Sequence, residues 1–180
     1  MKLRRQENNE ALVVLEEIEP FFLELLRSLP ASSDPGDNAA ARARLFSAPM
    51  SPGSDGDEFN DDWKEFVEPE LAELFQSARD IVIGDLAPLP PPAGHSLTES
   101  LEAAFAPSRV TLEIPRRHAE AWLSVLNQAR LSVAARWGFG ERETEEGWPT
   151  PPFGERDLDL FRLHFFDDIQ QMILSALGYE

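Results

Sequence analysis

The chain has 180 residues, 42% of them hydrophobic, with 12 Phe and 4 Trp; that is enough for one domain whose core needs no disulfide or metal to hold it. It contains no cysteine, which excludes zinc ribbons, thiol catalysis and a disulfide scaffold. Its 33 acidic against 16 basic residues leave a net charge of −17, which repels phosphate backbones and anionic lipid and argues against nucleic-acid or membrane partners.

The N-terminal MKLRRQENNE carries basic residues but no apolar core after them. No apolar run approaches the ~20 residues of a bilayer span, so a soluble cytoplasmic protein without a signal peptide is expected. In chain order, MKLRR and ALVVLEEI flank the polar ENNE and predict a short β-hairpin, although EALVVLEEI also fits the start of a helix. Pro20 is placed to open a helix whose Phe21, Phe22, Leu25, Leu26 and Leu29 share one face, and Pro30 is expected to end it. NAAARARLFSAPM predicts two or three helical turns. A polar loop follows, in which Asn60, Asp61 or Asp62 caps a short DWKEF turn. Val67-Glu68-Pro69-Glu70 restarts the chain, and PELAELFQSARDIVIGDLA forms an amphipathic helix stopped by Pro88.

Residues 88–95, PLPPPAGH, read as a Pro-rich linker; a PxxP ligand is the functional alternative, with no other signalling motif beside it. Ser96 and Glu99 have capping-box spacing at the head of SLTESLEAAF. Val110-Thr111-Leu112-Glu113-Ile114 alternates apolar and polar and predicts a strand, after which Pro115 is expected to open a helix. Residues 138–156 form an acidic Gly/Pro loop that carries Trp148 and Phe153. DLDLFRLHFFDDIQQMILSALG is the last helix, with Gly178 as its stop. The expected fold class is mainly α (α+β): a single domain over residues 1–180, helical, with a small β element made of the N-terminal hairpin plus the VTLEI strand.

The helix over WLSVLNQARLSVAARWG, residues 122–138, raises the functional question. With Trp122 at zero and about 100° per residue, Leu126 falls at about 40°, Val133 at about 20° and Trp137 at about 60°. Arg130 falls at about 80°, inside this apolar arc; Arg136 falls at about −40° on its border and Asn127 at about 140°. Ser124, Gln128, Ser132 and Ala135 occupy the strip left for solvent. A guanidinium inside the arc either snorkels to water or needs a carboxylate, because an unpaired buried charge is costly.

The other helices offer partners. Glu70 lies between Trp63 and Phe66, and Asp85 beside Leu74 and Ala78. Arg162 lies amid Phe165, Ile169 and Ile173, with Asp168 and Gln170 flanking that arc. Glu70 is also explained as a first-turn acid favoured by the helix dipole, whereas Asp85 sits at the wrong end for that. The expectation is an Arg–carboxylate–amide network among three helices, drawn from Asn127, Arg130, Arg136, Arg162, Asp168, Gln170, Glu70 and Asp85. It either fixes helix register or lines a pocket for an anionic ligand or a partner's carboxylate.

No catalytic, cofactor-binding or metal-ligating set is identified. His95, His118 and His164 are far apart and have no metal spacing. His164 and Asp168, four apart, make an ordinary helix-surface pair. The acidic run from Asp55 to Asp62 fails as a calcium loop, because Phe59 and Phe66 fall where oxygen ligands are required. Neither a phosphate-binding glycine motif nor a nucleophile elbow is present, and in so acidic a chain paired carboxylates say nothing about acid–base chemistry.

Three blocks, DDWKEFVEPELAELFQSARDIVIGDL, VTLEIPRRHAEAWLSVLNQARLSVAARWGF and DIQQMILSAL, resemble the uncharacterised bacterial family known as domain of unknown function two thousand and seventeen. The second block is the most distinctive, through its Trp-Leu-x-x-Leu-Asn-x-x-Arg-Leu core. Gln170 and Leu177 fall where the family pattern wants Gln and Leu. Ala135-Arg136-Trp137-Gly138 stands where relatives carry Thr-Arg-Leu-Gly, and SAPMSPGS and PLPPPAGHSLTESLEAAF look longer than in those relatives. The resemblance implies a compact, mainly helical domain with no established activity. The resemblance also implies a genetic setting near the adaptor of the Clp protease, and with it an expected link to regulated proteolysis or protein handling.

The leading expectation is therefore a non-catalytic, acidic regulatory or adaptor-type protein that needs no cofactor and acts by binding another protein. Its docking surfaces would be the acidic helix from Glu65 to Asp80 and the loop around Trp148 and Phe153. The alternative is a small-molecule- or metal-binding protein, or an enzyme, with an Arg-lined pocket.

Overall fold

One helix organises the rest. In the computed structural model, which describes residues 2–4, 11–50, 56–91, 109–140 and 154–179, the elements in chain order are β1 (Lys2–Arg4), β2 (Ala11–Glu16), α1 (Pro20–Ser33), α2 (Ala39–Leu45), α3 (Asp57–Asp62), α4 (Glu68–Leu86), β3 (Leu112–Pro115), α5 (Ala119–Trp137) and α6 (Glu155–Leu177). Helix α5 packs against α1, α2, α4 and α6, which explains why so much of its circumference is apolar. The capping-box segment, the later part of the Pro-rich linker and the loop with Trp148 and Phe153 lie outside the described residues.

The three strands form an antiparallel sheet in the order β1-β2-β3, so the hairpin and the VTLEI strand join as expected. Central β2 is buried on both faces, which is why ALVV reads as a continuous apolar run. The pairing slips between Ala11 and Val13, and Ile18 N–H extends the ladder to the Val110 carbonyl at 3.0 Å. Beneath the sheet, Leu15, Phe21, Leu26, Trp122, Phe165 and Phe166 belong to one buried cluster shared by β2, α1, α5 and α6. Each large apolar side chain enclosed this way contributes roughly 1.5–3 kcal/mol.

Several local expectations are corrected. Pro30 does not end α1, which runs on to Ser33. Pro30 removes only the N–H that would bond Leu26, and the last turn is closed instead by Ser33 Oγ donating to the Pro30 carbonyl at 2.8 Å. Pro115 does not open α5; it ends β3, and a 3₁₀ turn, Arg116–His118, intervenes. Asn60 caps nothing. It is buried inside α3, accepts from Met50 N–H at 3.3 Å and donates to the Met50 carbonyl at 3.1 Å.

Nor does the chain restart at Val67. Residues Trp63–Val67 form a π turn that joins α3 to α4 without a break. Pro69 supplies the cause, because it has no N–H for the Glu65 carbonyl and its ring would crowd that group. Glu68 N–H instead reaches five residues back to the Trp63 carbonyl, which widens the turn just before the proline. Two helices stop at glycines in the left-handed region, α5 at Gly138 (φ 66°) and α6 at Gly178 (φ 93°).

The strip of α5 assigned to solvent is also different. Gln128 and Ser132 are 2% and 5% exposed, because the surrounding helices close over them. Gln128 Nε2 donates to Ser124 Oγ at 2.8 Å, one turn back. Gln128 Oε1 and Ser132 Oγ are enclosed without a hydrogen-bond partner among the described residues.

Candidate functional site

The residues expected to form one network fall into separate clusters, and Glu70, Asn127 and Asp168 join none of them. Arg130, inside the apolar arc of α5, reaches across to α6. Its Nη1 donates to Gln170 Oε1 at 2.9 Å, and its Nη2 pairs with Asp167 Oδ1 at 2.9 Å. The Arg130 and Asp167 side chains are 30% and 37% exposed, so the guanidinium lies at the edge of the helix pair, neither sealed in nor free. Asp168 is not the carboxylate that meets it. That residue is exposed, and its pKa is raised, first by partial loss of hydration and then by the Asp167 charge, with His164 opposing.

A second cluster centres on Asp159, which the sequence reading did not single out. The carboxylate is buried; it accepts from Arg136 Nη1 at 3.0 Å and Trp137 Nε1 at 2.7 Å, and it pairs with Arg162 one turn along α6. Two guanidinium groups and an indole therefore compensate one enclosed negative charge, as its desolvation demands. The signal was available: on the α6 wheel Asp159 lies with Leu163 and Phe166, inside the apolar face, three residues before Arg162.

Asp85 anchors the third cluster. Its two carboxylate oxygens each lie 2.9 Å from His118 Nδ1, and Oδ2 accepts from Trp122 Nε1 at 2.9 Å. Trp122 is fully buried, so its indole N–H needs this partner, and the contact pins the end of α4 to the start of α5. Glu70 belongs to none of these clusters; it is exposed on α4, and because α3 runs into α4 without a break it sits in mid-helix, where the first-turn dipole explanation no longer applies. Asn127 is exposed as well.

Two surface features lie beside the clusters. One is a cleft of about 340 Å³ between α2, α5 and α6, lined by Arg44, Asn127, Arg130, Leu131, Ala134, Phe139, Gly140 and Leu163. The other is the outer face of α3 and α4. Phe59, Phe66, Leu74 and Ile81 are all exposed there, Phe66 at 61% and Leu74 at 66%. Their spacings of seven, eight and seven residues are about two turns each, so they form one stripe roughly 33 Å long. Val67, beside Phe66 in the π turn, is exposed as well, whereas α4 buries only Val82 and Leu86. Surface ion pairs join it to its neighbours: Arg79 pairs with Asp34 at 2.9 Å and Arg42 with Glu68 at 3.0 Å.

Among the described residues, no group of three or more His, Asp or Glu side chains is placed to hold a metal ion, and no helix is long and apolar enough to cross a membrane. A family model with the description Domain of unknown function (DUF2017) matches residues 3–177. No curated protein and no solved structure matches the chain.

Proposed function

The chain belongs to the DUF2017 family, a domain of unknown function, and on that footing we propose that it is a non-catalytic adaptor that docks a partner protein on the outer face of α3 and α4. The observation that carries this reading is the exposed stripe of Phe59, Phe66, Leu74 and Ile81. A row of large apolar side chains left in water is a liability unless something covers it, and anchors two turns apart, with polar residues such as Glu70 between them, suit an amphipathic helix laid alongside.

Charge selects the occupant. Glu65, Glu70, Glu73 and Asp80 are exposed along the same stretch, with Lys64 the one exposed base among residues 57–86. A partner segment with Lys or Arg round its apolar anchors complements this rim. A second copy would set Glu70 and Glu73 against their own like, and anionic lipid or nucleic acid would be repelled too. The setting that the family resemblance suggests for such a client is regulated proteolysis.

A helical peptide with Leu at helix spacing and Lys elsewhere tests the reading, with a Leu/Glu peptide of the same pattern as control. The Leu/Lys peptide should bind, more weakly as salt rises. Phe66→Gln and Leu74→Gln should each weaken binding by about tenfold while leaving the helical circular dichroism unchanged, since both side chains already face water. Equal binding of the Leu/Glu peptide, unaltered binding by both variants, or self-association of the chain through this face would refute the reading.

A further inference from the structure

The cleft between α2, α5 and α6 carries a second inference, independent of the docking face. Its floor is apolar, made by Leu131, Phe139 and Leu163, with Phe139 and Leu163 buried. Its rim is polar, made by Arg44, Asn127 and Arg130. In a chain of net charge −17 two guanidinium groups, Arg44 and Arg130, meet in this lining, while Arg156 lies outside it and packs 4.8 Å over the Phe139 ring.

The charge balance narrows what fits. Arg130 is already met by Asp167 and Gln170, which hold its guanidinium in place but occupy only two of the five N–H groups that an arginine carries. Arg44 is exposed and has no ion-pair or hydrogen-bond partner among the described residues, and the same holds for the Asn127 amide. The cleft therefore offers one uncompensated positive charge, one preorganised guanidinium and one free amide above an apolar floor. A monoanion balances this set. A phosphate dianion would leave surplus negative charge close to Asp167.

We infer that this cleft binds a small organic carboxylate. Arg44 meets the carboxylate with its planar fork, Asn127 and Arg130 orient it, and Leu131, Phe139 and Leu163 take the apolar body. A volume of about 340 Å³ suits a body of a few carbons. The same chemistry is offered by a free acid and by the C-terminus of a peptide ending in an apolar residue.

Methyl-resolved NMR of the whole chain tests this with sodium hexanoate and with acetyl-Gly-Gly-Leu bearing a free carboxylate, each taken to about 10 mM, where millimolar affinities saturate. The Leu131 and Leu163 methyls should shift with a saturating profile, and whichever ligand saturates first identifies the source. Arg44→Gln, an exposed change that leaves the fold alone, should weaken binding by about tenfold, and 1-hexanol should bind that much more weakly than hexanoate. The inference is overturned if neither carboxylate moves those methyls, if Arg44→Gln binds as the wild type does, or if hexanol or inorganic phosphate matches hexanoate.

Discussion

Arg130 on α5 and Asp167 on α6 pair at 2.9 Å, and Gln170, nearly one turn further along α6, takes a second N–H of the same guanidinium. The arrangement links the two helices through side chains. Both charges keep contact with water, so their contribution is that of a partly screened pair plus one hydrogen bond, about 1 kcal/mol in all. Arg130→Met should lower unfolding stability by about that amount in a urea titration. A double-mutant cycle with Asp167→Asn should return a coupling below about 1 kcal/mol. A loss of several kcal/mol would mean that the guanidinium is far more enclosed than this.

The Asp159 cluster should matter more, because its carboxylate is 4% exposed and serves two arginines. Asp159→Ala leaves Arg162 and the Trp137 N–H without their partner inside the helix pair. The expected cost is about 2–4 kcal/mol by urea unfolding, reduced from the fully buried case because Arg136 is half open to solvent. Arg136→Gln should cost less than about 1 kcal/mol. An Asp159→Ala variant as stable as the wild type would show that the cluster does not hold α5 to α6.

Asp168 predicts a pH effect of definite sign. Its pKa is raised on folding, so the native state holds this proton more tightly than the unfolded chain does. Stability is therefore lost as pH rises from the ordinary value of 3.8 through the raised one, and the loss is complete at neutral pH. Asp168→Asn should melt at a higher temperature than the wild type at pH 7, with the gap closing as the pH falls through the raised value toward 3.8 and gone below it. A variant that melts lower at pH 7 would contradict the sign. Asp167→Asn should bring the wild-type Asp168 titration back toward its ordinary value, because it removes the neighbouring charge.

Much of this was written in the sequence, and the misses have physical causes. The 3.6-residue apolar spacing located α1, α4, α5 and α6, and the alternation in VTLEI located the third strand. Periodicity put Arg130 inside the apolar arc of α5 without naming its partner; it named Asp168 on α6, whereas the carboxylate that meets Arg130 is Asp167, about 100° away on the wheel. It also gave Gln128 and Ser132 to solvent; a wheel cannot say that four helices surround α5. Proline rules located the start of α1 at Pro20 and the end of α4 just before Pro88, but Pro30 does not end α1, Pro69 marks a change from π to α geometry within a continuous helix, and Pro115 ends a strand. A removed N–H can be absorbed by a side-chain bond or a π turn, which local sequence does not reveal. The exposed stripe escaped as well: Phe66, Leu74 and Ile81 look like a core face until the neighbours are known to lie on the other side.

The claim that the outer face of α3 and α4 is where a partner sits is tested most directly by hydrogen–deuterium exchange with the Leu/Lys peptide present at saturation. Slower exchange should be confined to residues between about 57 and 82, with α5 and α6 unchanged, because a helix laid on the stripe stabilises that segment against local opening. Protection spread over the α5–α6 pair instead, or none at all while the peptide is demonstrably bound, would contradict the account.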